Sequence, residues 1–452
     1  VRSRRPRVVE VPVRYDGEDL ALVAAQAECS LREVIRRHRD AEYFVHCLGF
    51  APGFPYLGGL DPGLHTPRRL QPRPRVPAGS VAIGGEHTGI YSIPSPGGWN
   101  LIGRTPRPLF VPSATGEDAF LLRAGDVVRF VETDEVPLSG EAGPRREVGG
   151  DVVLTVLQVG SGVLVQDPGR PGRAAWGVPV GGAMVPTAAA GANRLLDNPA
   201  DAPVLELLLG RQEFRAECAT VVALTGAPLG AEWLAAGGAR PGVALESGRT
   251  VRLEPGDRLR FRGSAAGVWA YLAVPGGVAA TAWLGSCATS PRAGLGTVLQ
   301  AGDRIRQPVG SRFAFPAATV IRRLPWGELW RAQESLELAV WPGPQAAVFP
   351  ASTRRQWWDT EWRVSTHSDR TGYRLEGPAL EGPPQGMISE PVLPGSIQIP
   401  PSGQPIVTLA DGPTMGGYPK LAWLAPTEIE RLVQATPGTR VRFRPAPGTG
   451  WD

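Results

Sequence analysis

Hydrophobic and polar residues alternate with period two through residues 8–15 (V-V-E-V-P-V-R-Y), and the run stops at Asp16-Gly17, which predicts a half-buried strand. Ser30-Leu31-Arg32-Glu33 then has capping-box spacing and predicts a short helix ending near Asp40. Beyond it turn signals dominate and helical periodicity is rare. One phrase recurs at the head of alternating runs: R-A-G-D at 123–126, E-P-G-D at 254–257, Q-A-G-D at 300–303 and T-P-G-T at 436–439. Each is a glycine-centred turn feeding a strand, so the copies suggest related β units. A longer echo links P-A-G-S-V-A-I at 77–83, with T-G-I-Y at 88–91, to P-G-S-I-Q-I at 394–399, with G-G-Y-P at 416–419. The two ends of the chain are therefore expected to carry similar units. The division this suggests is 1–138, a polar linker at 139–150, and 151–452.

Composition sharpens this picture. The chain has 452 residues with 42% hydrophobic and 20% charged positions, enough for several cores. Its 58 glycines and 47 prolines lie among apolar runs, which indicates many tight turns between short strands in a mainly β protein. The net charge is +4, but the arginines are scattered apart from a cluster in residues 1–7, so no nucleic-acid partner is expected. No apolar run is long enough for a membrane helix. Cys29, Cys47, Cys218 and Cys287 are far apart and read as reduced thiols of a cytoplasmic protein, with no metal site.

Five stretches could carry chemistry. In H-C-L-G-F-A-P-G-F-P-Y (46–56), a rigid Pro/Gly loop presents Phe50, Pro52 and Phe54 as apolar walls for a small planar substrate, with His46 as donor or base. The alternative is a corner packed on a β core. Around 84–105, Thr88 and Tyr91 line a glycine-rich turn, and Arg104 could fork onto a carboxylate or phosphate. In 166–206, Asn193 lies on an expected helix and Glu206 on a following strand, and Asn193 either meets ligand or pins neighbouring backbone. In S-D-R-T-G-Y-R (368–374), Asp369, Arg370, Tyr373 and Arg374 could bind an anion or form a surface ion-pair cluster. The fifth runs from Gln404 through Asp411 to Lys420, the only lysine among 47 basic residues. An apolar strand would deliver Asp411 and then a compact ammonium into the glycine loop D-G-P-T-M-G-G-Y-P-K. A lysine tolerated on a surface turn is the alternative.

These motifs together carry a family resemblance. Residues 8–130, with H-C-L-G-F-A-P-G-F-P-Y-L-G-G-L-D-P, V-P-A-G-S-V-A-I and S-P-G-G-W-N-L-I-G-R-T-P, resemble allophanate hydrolase subunit 1, the Kip inhibitor family. Residues 152–445, with Q-D-P-G-R-P-G, G-A-M, A-N-R-L-L, S-D-R-T-G-Y-R-L-E-G, G-S-I-Q-I-P-P-S-G-Q-P-I and A-D-G-P-T-M-G-G-Y-P-K, resemble subunit 2. The resemblance implies a natural fusion and tandem cyclophilin-like β-barrels with short helices. It also implies kinship with bacterial ATP-dependent 5-oxoprolinase and with the carboxyltransferase part of urea carboxylase. Two departures stand out: the N-terminal domain usual in subunit 1 is incomplete, and Val185 replaces the acidic residue common after G-A-M. The Ser-Ser-Lys machinery of amidase-signature hydrolases is also missing from the sequence.

The resemblance implies a fused subunit of an ATP-dependent amide-opening hydrolase, using ATP with magnesium accompanying it. A separate partner subunit would be needed, and a homo-oligomer is compatible. Lys420 and Arg370 (with Arg374) would stabilise developing charge, and Asp411 or His46 would handle protons. Phe50, Pro52, Phe54, Thr88, Tyr91, Arg104, Asn193, Asp369, Tyr373, Arg374 and Gln404 would contact the small amide. One alternative is a carboxyltransferase component using biotin on another chain. The other is a regulatory module that inhibits a histidine kinase.

Overall fold

The computed structural model describes residues 6–114, 116–135, 148–237, 242–263, 267–311, 334–383 and 387–451. Residues 139–147 of the expected linker lie outside the described residues. The alternating run at the start becomes the strand Val8–Val13, with Val11 and Val13 buried and Glu10 exposed, paired parallel to Val127–Glu132. The sheet continues through Glu42–Leu48, Pro55–Gly58, His87–Ile90, Ser80–Gly84 and Asn100–Arg104. Its two edges touch where Arg14 and Arg104 exchange backbone hydrogen bonds of 2.8 Å, curling the sheet into a half-barrel. Ser30 accepts a bond from the Glu33 amide at 3.2 Å and caps the helix Leu31–Asp40, as the capping-box spacing predicts. This helix and Leu20–Gln26 bury Val34, Leu20, Val23 and Ala24 against the strands.

His38 is completely buried in this core and stacked 4.6 Å from the Phe130 ring. The Thr88 hydroxyl donates to the Ala82 carbonyl, so it accepts from His38 Nε2 at 3.0 Å. His38 Nδ1 then accepts from the Tyr15 hydroxyl at 2.9 Å. Both ring nitrogens are thereby satisfied in the neutral form, and burial pulls the pKa down to about 3. A depressed folded-state value means the unfolded chain binds the proton first, so stability falls as pH drops from about 6.5 towards 3. Between pH 7 and 5 this group should cost the fold about 2 kcal/mol. Urea unfolding at the two pH values checks this, and His38→Phe should flatten that part of the profile.

The middle of the chain packs a six-stranded sheet, including Asp151–Val159, Gln212–Ala216 and Arg258–Phe261, on a five-stranded one. The latter runs Val163–Gln166, Val204–Leu208, Trp269–Ala273, Thr220–Gly226 and Arg249–Leu253. Residues 335–445 form a closed seven-stranded barrel in the order Ser335–Pro342, Lys420–Leu424, Ser396–Gln398, Ile406–Thr408, Gly372–Glu376, Trp362–Val364 and Arg440–Pro445. The helix Pro186–Leu195 shares one apolar cluster with both, through Ala188, Ala189, Ala192 and Leu195. The mainly β expectation holds, with a closed barrel at the C-terminal end and a curled half-barrel at the N-terminal end.

The recurring phrase has a single physical form. In each copy the residue after glycine returns its amide to the carbonyl three residues back, at 3.0–3.1 Å, and the glycine has φ between 87° and 93°. That is a type II turn, which needs a left-handed third residue and favours the proline found at 255 and 437. In the first three copies the aspartate also accepts the amide of the turn's first residue at 2.8–2.9 Å. All four cysteines are free thiols. Among the described residues no helix is long and apolar enough to cross a membrane, and no side-chain group could hold a metal ion.

Candidate functional site

The aromatic loop of the N-terminal half-barrel and the glycine loop before Lys420 meet at one seam. The strand Glu42–Leu48 turns through Gly49–Phe54 into Pro55–Gly58, with Gly49 N–H bound to the Phe54 carbonyl at 3.0 Å. Phe50, at the turn, adopts a left-handed φ of 65°, a strained conformation for an aromatic residue. Gly53 N–H donates to the Trp176 carbonyl at 2.9 Å, tying the loop to the middle of the chain. Met415 lies directly over Gly49, where a Cβ would come within 2.1 Å of its Cγ. Phe54, Tyr56, Tyr91, Phe110 and Phe120 join Val178, Ala293 and Leu295 in one buried cluster, so the two parts of the chain share a core.

Gly177 makes this contact possible. A Cβ there would lie 2.1 Å from the Ala51 carbonyl oxygen, and its φ is 72°. Gly172 has a similar φ of 77° but nothing within 4 Å. Gly172→Ala should therefore cost only the left-handed penalty of about 1–2 kcal/mol. Gly177→Ala adds an overpacking term of about 1–3 kcal/mol and should separate the seam first. Calorimetric melting of the two variants measures the difference.

Beside the seam, three buried side chains form a charge network across two units. Arg370 donates from Nε to Asp411 Oδ2 at 2.8 Å and from Nη2 to the Gly182 carbonyl at 2.7 Å, and its Nη1 pairs with Glu206. Glu206 also accepts from the Met184 amide at 2.7 Å and the Tyr271 hydroxyl at 2.8 Å, while the Tyr271 oxygen accepts from the Val185 amide. The G-A-M-V corner is thus held by backbone amides, and buried Val185 takes part through its N–H. Burial pushes the Glu206 carboxyl above the usual range, with Arg370 and the two donors pulling it back. For Arg370, burial alone would lower the pKa, but Glu206 and Asp411 more than reverse it, so the guanidinium stays charged.

Lys420 opens a barrel strand and is 4% exposed. Its ammonium pairs with Glu390 and donates to the Pro391 carbonyl at 3.2 Å, which uses two of three donors. Gln345 bridges the pair, donating to Glu390 at 2.7 Å and accepting the Lys420 amide at 3.0 Å. Gln398 stands opposite Lys420 in the register of the neighbouring strand. Its Nε2 and the Thr414 hydroxyl are buried without a partner among the described residues. A Cβ on Gly416 would come within 3.0 Å of that Nε2. Unfilled donors thus lie in the glycine loop, at Thr414, and beside it, at Gln398.

The other predicted site residues divide clearly. Phe50, Phe54 and Tyr91 are mutual neighbours, with ring centres 5.3–6.2 Å apart, and Pro52 is buried in the same loop. Thr88 faces the core and serves His38. Asn193 pins backbone, donating to the Ala202 carbonyl at 2.8 Å and accepting from Asn198 at 3.0 Å. Tyr373 is buried with its hydroxyl on the Val433 carbonyl at 2.6 Å, and Gln404 brackets the Gly377 amide and carbonyl. Asp369 closes a turn on the Thr371 and Gly372 amides. Arg104 forms a surface ion pair with Asp16, and Arg374 is exposed. His46 is exposed, packed over Gly58 and edge-on to His87 at 5.9 Å. Gln398, Thr414 and Arg292 are not distinguished by the sequence, because their significance depends on partners they lack among the described residues.

A family model described as carboxyltransferase domain, subdomain A and B, matches residues 176–445, and one for subdomain C and D matches residues 1–122. One 5-oxoprolinase subunit, from Escherichia coli O157:H7, is 53% identical over 132 residues, covering 28% of this chain and 60% of that subunit. A different 5-oxoprolinase subunit, from Escherichia coli K12, is 33% identical over 297 residues, covering 64% of this chain and 90% of that one. The crystal structure of TTHA0988 superposes with a TM-score of 0.85 at 38% identity, covering 98% of this chain and 86% of that one. The chain therefore spans about 60% of the first 5-oxoprolinase subunit and nearly all of the second.

Proposed function

Because the chain belongs to the carboxyltransferase-domain family, with its subdomain A and B model over residues 176–445, we propose that it is a fused subunit of an ATP-dependent lactam-opening enzyme of the 5-oxoprolinase type. A separate partner subunit completes the activity. The observation that carries this reading is the interlocked seam, where the aromatic loop of the N-terminal part is covered by Met415 of the C-terminal part. Those two parts resemble two different 5-oxoprolinase subunits, so the seam joins them within one chain. Opening an amide develops negative charge on its oxygen, and donors fixed in a water-poor site stabilise that charge most effectively.

When bound, ATP supplies the phosphoryl group that activates the amide oxygen or a carboxylate. The unpartnered Gln398 Nε2 and Thr414 hydroxyl, with the remaining Lys420 donor, are the groups this reading assigns to the oxyanion. The adenosine part is assigned to no residue of this chain. Arg370 and Asp411 act as positioning residues, since they are committed to each other and Arg370 also holds Glu206 and the Gly182 carbonyl. Phe50 and Phe54 exclude water from the seam and offer flat walls to a small ring. Reconstitution with the cognate partner subunit, read as 5-oxoproline-stimulated ATP hydrolysis, tests the proposal.

The family description favours one second reading, transfer of a carboxyl group from carboxybiotin to a small amide. Binding of free biotin to the chain, together with a lack of lactam-stimulated ATP hydrolysis, would select it.

A further inference from the structure

Two arginines at the seam have no carboxylate partner. Arg170 is 2% exposed and donates to the backbone carbonyls of Trp283, Ser286 and Ala288. Its buried Nη1 has no partner among the described residues. Arg292, on the short turn Pro291–Ala293 that follows these carbonyls, is half-buried, with its guanidinium 6.0 Å from the centre of the Phe50 ring. No hydrogen bond or ion pair holds it among the described residues. Asp411 lies beside Arg170. A Cβ on Gly181 would lie 3.4 Å from Arg170 Nη1 and 3.7 Å from Asp411 Oδ1, so both groups border the space that this glycine leaves open. Burial lowers the pKa of both arginines; Asp167 and Asp411 oppose it for Arg170, and Asp369 and Asp411 for Arg292.

A guanidinium taken out of water with an unfilled donor is costly unless an anion completes it. Asp411 is already bonded to Arg370, which leaves the donor open to an anion from outside the chain. The flat Phe50 ring, held in its left-handed turn under Arg292, suits a small planar ring beside that anion. We infer that Arg292 and Arg170 hold the carboxylate of a small cyclic carboxylic acid at this seam, with Phe50 placing its ring. The inference deepens the lactam-opening reading and rests on it for the identity of the ring: 5-oxoproline is a five-membered lactam carrying one carboxylate. It also makes the carboxylate, rather than the amide, the group that selects the substrate.

The test compares 5-oxoproline with 2-pyrrolidinone, the same lactam without the carboxylate, on the complete complex. Wild-type kcat/KM should favour 5-oxoproline by roughly 30-fold or more, the scale of a charge-assisted pair. Arg292→Ala and Arg292→Gln should remove most of that preference, raising KM for 5-oxoproline far more than for 2-pyrrolidinone. A preference that survives in both variants, with their melting temperatures unchanged, overturns the assignment. If neither lactam is turned over, the functional reading has failed. The carboxylate site is then decided by titrating the chain with pyridine-2-carboxylate and with pyridine. Arg292-dependent binding of the acid alone upholds it, and no binding, or equal binding to wild type and variants, overturns it.

Discussion

Arg370→Met should lower the unfolding free energy by about 3–5 kcal/mol, the cost of leaving buried charges without their partner. Glu206 is fully inside the protein and Asp411 nearly so, and they approach this one guanidinium from different units of the fold. Methionine fills much of the same volume, so the loss reports charge rather than a cavity. Burial already raises the Glu206 carboxyl, and losing Arg370 removes the main opposing influence. A raised folded-state value contributes stability at low pH that is lost as pH rises through it. The deficit of the variant relative to wild type should therefore be smaller at pH 5.5 than at pH 8. Adding Glu206→Gln and Asp411→Asn should recover part of the loss. By contrast, Arg104→Ala breaks only an exposed pair with Asp16 and should stay within about 1 kcal/mol. A pH-independent deficit for Arg370→Met as small as that of Arg104→Ala would show that the network does not hold the units together.

Lys420→Ala carries the second large effect, on turnover. Removing one preorganised donor to a developing oxyanion typically lowers kcat by about 100- to 1000-fold. Lys420→Arg should not rescue it, because the planar guanidinium cannot replace a compact ammonium held between Glu390 and the Pro391 carbonyl. The competing account makes Lys420 a clamp that fastens Glu390 to the barrel. Glu390 is about one-third exposed and keeps Gln345, so losing the lysine leaves its carboxylate solvated rather than stranded. Glu390→Gln separates the two accounts: it weakens the clamp but leaves the donor in place. A catalytic lysine predicts an active Glu390→Gln and an inactive Lys420→Ala with similar melting temperatures. Equal loss of turnover in both would assign Lys420 to the clamp.

The features legible in the sequence are those written in short-range pattern. The strand at Val8–Val13, the capped helix Leu31–Asp40 and the repeated turn depend on residues one to four positions apart, where backbone geometry couples spacing to structure. The aromatic loop and the glycine loop were also visible as motifs, and the structure brings them together at Gly49 and Met415. Their meeting was not visible, because it depends on how separate units pack. The same limit explains the polar residues. Thr88, Asn193, Tyr373 and Gln404 look like ligand contacts by type, yet each is consumed by a nearby backbone or side-chain partner. Arg370 and Glu206 are 164 positions apart, so no local pattern could pair them. Arg170, Arg292 and Gln398 are informative through unmet hydrogen-bonding capacity, which only three-dimensional burial reveals.

The central claim, that the seam opens a lactam with ATP, is tested most directly by ATP hydrolysis in the complex of this chain with its cognate partner subunit. The account predicts hydrolysis that depends on both subunits, rises with 5-oxoproline, yields ring-opened product and disappears in Lys420→Ala. Hydrolysis indifferent to 5-oxoproline, with no ring-opened product from the wild-type complex, would contradict it.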